Sequence, residues 1–324
     1  MHQIRLENAA FEGENNAYLL SGDAGPTTLI DTGIDLANTR DALRKGLEDH
    51  GLGFEDIDQV FLTHFHLDHS GLAGFIQEQS GAPVFGHAED LPLVGDSDDA
   101  TYEIDLTYGS DLEDWGLPEE KREELSMVLQ QARTRAGAPI DGTPLDLERT
   151  YQTGDGPITP IHLPGHTVGH VGYVLENGEL LAGDALLPVY TPNIGGADPR
   201  VSRPLVTYLE TLRSIVEMNP PCVWPGHRDR IDDPIGRAEE IRNHHQERTN
   251  RIVRVLEEEG AMDVWTMATT LFGSLSNIHA LHGPGEAFAH LDHLAEIGVV
   301  EKRDRLYHLT ADRPAHEARV PTVT

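Results

Sequence analysis

The feature that most constrains this chain is an apolar stretch, Ile57-Asp58-Gln59-Val60-Phe61-Leu62, running straight into Thr63-His64-Phe65-His66-Leu67-Asp68-His69-Ser70-Gly71. Three imidazoles and a carboxylate fall within six residues, after a buried strand and ahead of a helical pattern at 71–79. A strand-to-helix loop aims several side chains at one point. Neutral imidazole nitrogen and carboxylate oxygen are ligands that Zn²⁺ accepts at about 2.0–2.2 Å. The alternation is too regular for solvated loop histidines, even in a chain with 18 of them.

Three distant fragments share the design. Leu163-Pro164-Gly165-His166-Thr167 follows an apolar strand, Leu181-Ala182-Gly183-Asp184 ends one, and Trp224-Pro225-Gly226-His227 ends another. Each places a potential ligand where the ends of a layered sheet converge. Together, in this order, the four segments resemble the metallo-β-lactamase superfamily over roughly residues 4–232.

That resemblance implies an α/β fold, an αββα sandwich with two metals at one edge. It implies that His64, His66 and His166 hold the first metal, that Asp68, His69 and His227 hold the second, and that Asp184 bridges them. Ligands so divided leave open positions for a bridging water, and two cations lower its pKa to give a hydroxide near neutrality. Asp68 and Asp184 are then the catalytic carboxylates, with Asp68 a proton shuttle if only one metal binds. Two Zn²⁺ are expected; Fe or Mn suit the same donors. Asp31, in Leu29-Ile30-Asp31-Thr32-Gly33, matches the family's early Asp-x-Gly element and is expected to take the second N–H of a metal-bound histidine. A turn aspartate is the alternative.

Other polar residues are read more plainly. His162 and His170 flank His166 and are expected to be structural, while His87, Tyr190 and Asn193 are candidates for the substrate pocket. A Tyr190 hydroxyl there would polarise a scissile carbonyl. His290 and His293 have metal-like spacing but are read as incidental on a surface helix.

Around these motifs the pattern is layered. Residues 16–22 and 27–33 read as strands, and Leu36, Leu43 and Leu47 keep helical spacing until Gly51. Strand signals return at 157–163, 170–177 and 179–186, then a helix at 204–218 and a strand at 222–227. Alternating strands and helices imply an α/β layered core. Residues 89–149 break the pattern with seventeen acidic and five basic residues, four prolines and one helix, and are expected to form a helical flap over the core. A long polar helix at 234–259 leads to helices at 263–272 and 284–297 and a ribbon around Arg303-Asp304, an order that resembles a winged helix. The expected division is a catalytic domain, 1–240, and a helical, winged-helix-like domain, 241–324, as in the glyoxalase II-like branch of the superfamily.

Charge narrows the functions. The chain carries 55 acidic against 24 basic residues, net −31, and its only lysines are Lys45, Lys121 and Lys302. This is similar to the halophilic surfaces of proteins that work in multimolar salt, where a Debye length of about 3 Å at 1 M screens self-repulsion. It disfavours a nucleic-acid partner. Residues 244–312, with eleven acids and six bases, lack the basic face of a DNA-reading winged helix, so a lid or homodimer contact is expected instead. A single cysteine, Cys222, fits a reducing cytoplasm, and no run of 18 apolar residues or signal-peptide layout is present, so no membrane contact is expected. Hydrolysis of a small-molecule ester, thioester or lactone, similar to hydroxyacylglutathione hydrolase, is the expected function. A ribonuclease or phosphodiesterase on the same metals, or a mononuclear iron persulfide dioxygenase, stand as alternatives.

Overall fold

Strand alternation explains the layering. In the computed structural model, which describes residues 1–7, 14–95, 111–310 and 318–323, successive residues of the central strands enter different apolar layers. Along β2 (Asn16–Leu20), Tyr18 and Leu20 pack on one side and Ala17 and Leu19 on the other. β3 (Thr28–Ile30) divides Ile30 from Leu29, and β4 (Gln59–Phe61) divides Phe61 from Val60. Strands apolar on both faces need cover on both faces.

These strands join β1 (His2–Arg5), β5 (Val84–Gly86) and β6 (Gly142–Pro144) in a 6-stranded sheet of order β1 to β6, parallel from β3 onward. A second, 5-stranded sheet runs β11-β10-β9-β8-β7, comprising β7 (Tyr151–Thr153), β8 (Gly156–His162), β9 (Val171–Leu175), β10 (Leu180–Gly183) and β11 (Val223–Pro225). The inner faces meet in a core of Tyr18, Ile30, Phe61, Val171, Tyr173 and Leu181. On the outer face of the first sheet lie α1 (Ala37–Glu48), through Leu43 and Leu47, and α3 (Ala73–Ser80), through Ile76; α2 (Leu67–Ser70) is a single turn at the sheet's edge. The second sheet is covered by the helix Pro204–Met218 and by the start of the helix Pro234–Glu259. The order of layers is αββα, as expected.

The segment 89–149 is only partly an insertion, and its helix is not a flap over this core. That helix, α4 (Glu119–Arg133), buries Leu125 together with Trp115 and Leu117 against the C-terminal helices. The chain then returns as β6 on the sheet edge, beside β5. Pro139 and Pro144 hid this strand, because proline is confined to edge strands and breaks the usual strand signal. Residues 96–110 lie outside the described residues.

Following α5 (Pro204–Met218), the chain crosses residue 240 inside one continuous helix, α6 (Pro234–Glu259), rather than in a linker. Ala238 and Ile241 belong to the layer over the second sheet, and Ile252, Val253 and Leu256 to a separate C-terminal core. That core also takes α7 (Val264–Phe272), α8 (His279–Glu296) and the antiparallel ribbon β12 (Val300–Arg303) and β13 (Leu306–Leu309). Helix α8 begins before the expected residue 284. Pro284 mimics a helix start, since proline favours the first turn, yet here it lies inside the helix. Among the described residues no helix is long and apolar enough to cross a membrane.

Phe61 anchors the inner core, stacked on Phe85 at 4.8 Å and edge-on to Tyr151 and Tyr173 at 5.3 and 5.6 Å. Phe61→Ala is expected to destabilise the fold by about 3–5 kcal/mol, read as a lowered urea midpoint at unchanged slope.

Candidate metal centre

All seven ligand candidates from the sequence come together at one edge of the sandwich, where the parallel strand pairs β3–β4 and β10–β11 end. The first sheet delivers His64, His66, Asp68 and His69 from the loop and turn after β4. The second delivers His166 after β8, Asp184 directly after β10 and His227 after β11. Main-chain and side-chain bonds stitch the sheets together at this edge: Val171 N–H donates to the Thr63 carbonyl at 2.8 Å, the Tyr173 hydroxyl to Leu62 at 2.6 Å and the Tyr18 hydroxyl to Pro225 at 2.6 Å.

In the first group, the hydrogen bonds on the far side of each ring decide which nitrogen faces inward. His166 Nδ1–H donates to the Asn193 carbonyl at 2.9 Å, His66 Nε2–H to the Ala197 carbonyl at 3.1 Å, and His64 Nδ1–H to Thr63 Oγ1 at 3.0 Å. That leaves His64 Nε2, His66 Nδ1 and His166 Nε2 as lone pairs aimed at one spot, with His66 Nδ1 3.0 Å from each of the others. Burial and the neighbouring rings push His64 well below the ordinary histidine range and His166 down to about 4. His66 is also lowered, first by burial. Three neutral nitrogens converging without a hydrogen between them are suited to a cation.

The second group is charged differently. His69 Nδ1–H donates to Asp31 Oδ2 at 2.9 Å, turning Nε2 toward Asp184 Oδ1 at 3.4 Å and Asp68 Oδ2 at 3.9 Å. His227 Nε2 lies 3.4 Å from Asp184 Oδ2 and 3.5 Å from Asp68 Oδ2. His69 Nε2 and Asp184 Oδ1 are buried without a hydrogen-bond partner, as expected of atoms that ligate an ion. Burial opposes charge on His227, but the carboxylates of Asp184 and Asp68 outweigh it and lift the ring to about 9. The same carboxylates hold His69 well above its ordinary value, again against burial. Asp184 in turn lies well below the carboxylate range because His227 and His69 overcome its desolvation. A cation entering this corner therefore displaces protons. Asp184 also lies 3.8 Å from His166 Nε2, which places it between the two groups. The donor set fits divalent metal.

Two polar knots hold these loops. Asp31 takes the left-handed backbone at φ 57°, strained for a non-glycine residue, and accepts from Thr63 N–H at 2.7 Å, Thr63 Oγ1–H at 2.8 Å and His69. The other knot was not legible in the sequence. Buried Asp90 accepts from Phe65 N–H, Thr167 Oγ1–H and Gly169 N–H at 3.2, 2.7 and 2.8 Å, joining both histidine loops. Arg200 bridges it to buried Asp198, which accepts from Val168 N–H at 3.0 Å. Burial pushes Asp90 up to about 6 despite these bonds. Both acids stand in sequence contexts with no motif, and only a three-dimensional contact reveals them. Glycine is needed beside the ligands: a Cβ on Gly226 would stand 2.4 Å from Asp184 Oδ1.

The remaining candidates lie around the cluster. His170 is structural, its Nε2 accepting the Asp184 N–H at 3.0 Å, and His162 donates to the Val168 carbonyl at 2.7 Å while stacking on His87 at 4.7 Å. The Tyr190 hydroxyl accepts from Arg228 at 3.2 Å. Asn193 departs from its expected role: its side-chain amide turns to the C-terminal helix, donating to the His282 carbonyl at 3.1 Å, and its own carbonyl holds His166. His290 and His293 are buried, not on a surface: His290 lies 3.3 Å from His245 Nδ1, and His293 donates to the Arg319 carbonyl at 2.9 Å. His245, Glu286 and His290 form a further compact group, but the Arg248 guanidinium occupies the carboxylate there.

The family model of the metallo-beta-lactamase superfamily matches residues 10–227, and the chain belongs to that superfamily, whose fold binds divalent metal. It is 27% identical over 299 residues to the "Probable metallo-hydrolase YqjP" of Bacillus subtilis, covering 89% of this chain and 90% of that protein. The crystal structure of metallo-beta-lactamase family protein TTHA1429 from Thermus thermophilus superposes with a TM-score of 0.81 at 30% identity, covering 95% of this chain and 97% of the other. The thioesterase pkgB of Emericella nidulans is 25% identical over 218 residues, 67% of this chain and 46% of that protein. The chain is a metallo-hydrolase of this superfamily.

Asp31→Ala removes the acceptor that orients His69 and the loop amide of Thr63. It is expected to weaken divalent-metal affinity about 10–100-fold, measured by chelator competition.

Proposed function

We propose that this chain uses two zinc ions to hydrolyse a small thioester, ester or lactone. His64, His66 and His166 hold one ion, Asp68, His69 and His227 the other, and Asp184 is shared. The observation that carries the reading is the inward convergence of ring nitrogens 3.0 Å apart whose outer N–H groups are all engaged. Imidazole and carboxylate donors without thiolate suit zinc. Bound cations supply Lewis acidity, lowering the pKa of a water and withdrawing charge from a developing oxyanion.

The chain's own residues prepare that chemistry. Asp68 Oδ2 accepts from Asn15 Nδ2 at 3.1 Å, which holds the carboxylate toward His69 and His227 for the second ion; with a single ion bound, Asp68 would instead be free to act as the proton shuttle. The His170 bond fixes the Asp184 main chain, and the carboxylate lies between the histidine sets, 3.4 Å from His69 and from His227 and 3.8 Å from His166. The thioester preference draws support from the thioesterase pkgB, of which this chain spans less than half. We read the C-terminal unit as winged-helix-like and structural, and the protein as cytoplasmic and halophilic.

His66→Ala and Asp184→Ala are each expected to abolish hydrolysis while the circular dichroism spectrum stays folded; full turnover in both overturns the mechanism. Elemental mass spectrometry should find near two zincs per chain, with turnover of thioester, ester or lactone substrates. One iron per chain and no hydrolysis would favour a dioxygenase instead. The unfolding temperature is expected to rise with KCl toward molar concentrations, as screening relieves the net charge of −31.

A further inference from the structure

Two of the three rings in the first histidine group are held by main chain. His166 Nδ1–H donates to the Asn193 carbonyl and His66 Nε2–H to the Ala197 carbonyl, so the 193–197 loop decides where both inward nitrogens point. That loop rests on the C-terminal helix α8. Asn193 Nδ2 donates to the His282 carbonyl at 3.1 Å and to Glu286 Oε2 at 3.3 Å, and Ile194 N–H reaches the same oxygen at 3.4 Å. Glu286 is 5% exposed, and its other oxygen is paired with Arg248 of α6.

The backbones touch at the same place. A Cβ on Gly285 would stand 2.3 Å from Gly196 Cα, and one on Gly195 would stand 2.5 Å from the Gly285 carbonyl oxygen. Gly283-Pro284-Gly285 is a poor helical sequence, since proline inside a helix removes a hydrogen bond and glycine loses more backbone freedom than alanine. The helix nonetheless runs through it. A local rule broken inside a regular element marks a contact the fold needs, here the close approach of helix and loop.

We propose that Glu286, backed by Arg248, is a positioning residue for the metal centre. From the C-terminal unit it fixes the 193–197 loop, whose carbonyls hold His166 and His66 with their metal-binding nitrogens inward. This rests on the two-metal reading above. The inference is site-specific, because the second group is oriented by Asp31 and Asn15, which belong to the first sheet's edge. Loosening the α8 contact therefore weakens one metal and spares the other.

The test measures zinc affinity by competition with a chromophoric chelator on the full chain, for wild type, Glu286→Ala, Glu286→Gln and Asn193→Ala. Visible spectra of the cobalt-loaded proteins accompany it. Glu286→Ala and Asn193→Ala are expected to weaken one binding step about 10–100-fold and alter the cobalt bands, leaving the other step as in wild type. Glu286→Gln, which keeps an acceptor oxygen for Ile194 N–H, should recover most of the loss, an outcome that general destabilisation would not give. If Glu286→Ala does not fold, Asn193→Ala decides the matter from the loop side. Unchanged affinities in the folded alanine variants, or equal weakening of both steps, overturn the proposal. A wild type that binds no divalent ion overturns the two-metal reading itself, and this inference with it.

Discussion

Lone pairs crowded into a buried corner repel one another, and the rest of the structure is organised to keep them there. Every inward nitrogen of the first histidine group is neutral and acceptor-like because its outer N–H is already spent on a hydroxyl or a carbonyl. Left to themselves such rings would turn outward to water. Their geometry survives because each is clamped from behind, and because the edge that carries them is cross-bonded between sheets by Tyr18, Tyr173 and the Val171 amide.

The clamps form tiers of different chemistry. Asp31 is a carboxylate held in a strained backbone conformation against His69 and the Thr63 amide. Asp90, Asp198 and Arg200 form a buried ionic knot whose acceptors bind main-chain N–H groups of the Phe65 and Val168–Gly169 loops. A buried ion pair of this kind is weak evidence of net stability; its visible effect is to fix loop geometry. The two halves of the cluster are also electrostatically unlike. Neutral rings fill one side, while the other balances carboxylates against histidines whose proton affinity they raise.

Much of the fold was legible because local signals and packing agree. The alternation of Tyr18 and Leu20 against Ala17 and Leu19 is visible as a strand and is satisfied as one. The convergence of the seven candidate ligands was legible because they sit in dense, ordered motifs at strand ends. What escaped were features whose cause lies elsewhere in the chain. Strand β6 lies at an edge position that tolerates its proline, and α8 passes through Pro284 where Gly285 meets Gly196. Asp90 and Asp198 look like any other acids in an acidic chain. Asn193 was singled out for its side chain, whereas the atom that touches the centre is its carbonyl.

That last distinction reaches beyond one residue. The carbonyls of Asn193 and Ala197 belong to the polypeptide itself, so no exchange of side chain deletes either. The letters along 193–197 count here through the path they give the chain, Asn193 by its side-chain bond to α8 and the glycines by allowing the close approach, and these become the positions most sensitive to change. A catalogue of side chains would pass over the part of the centre the backbone supplies.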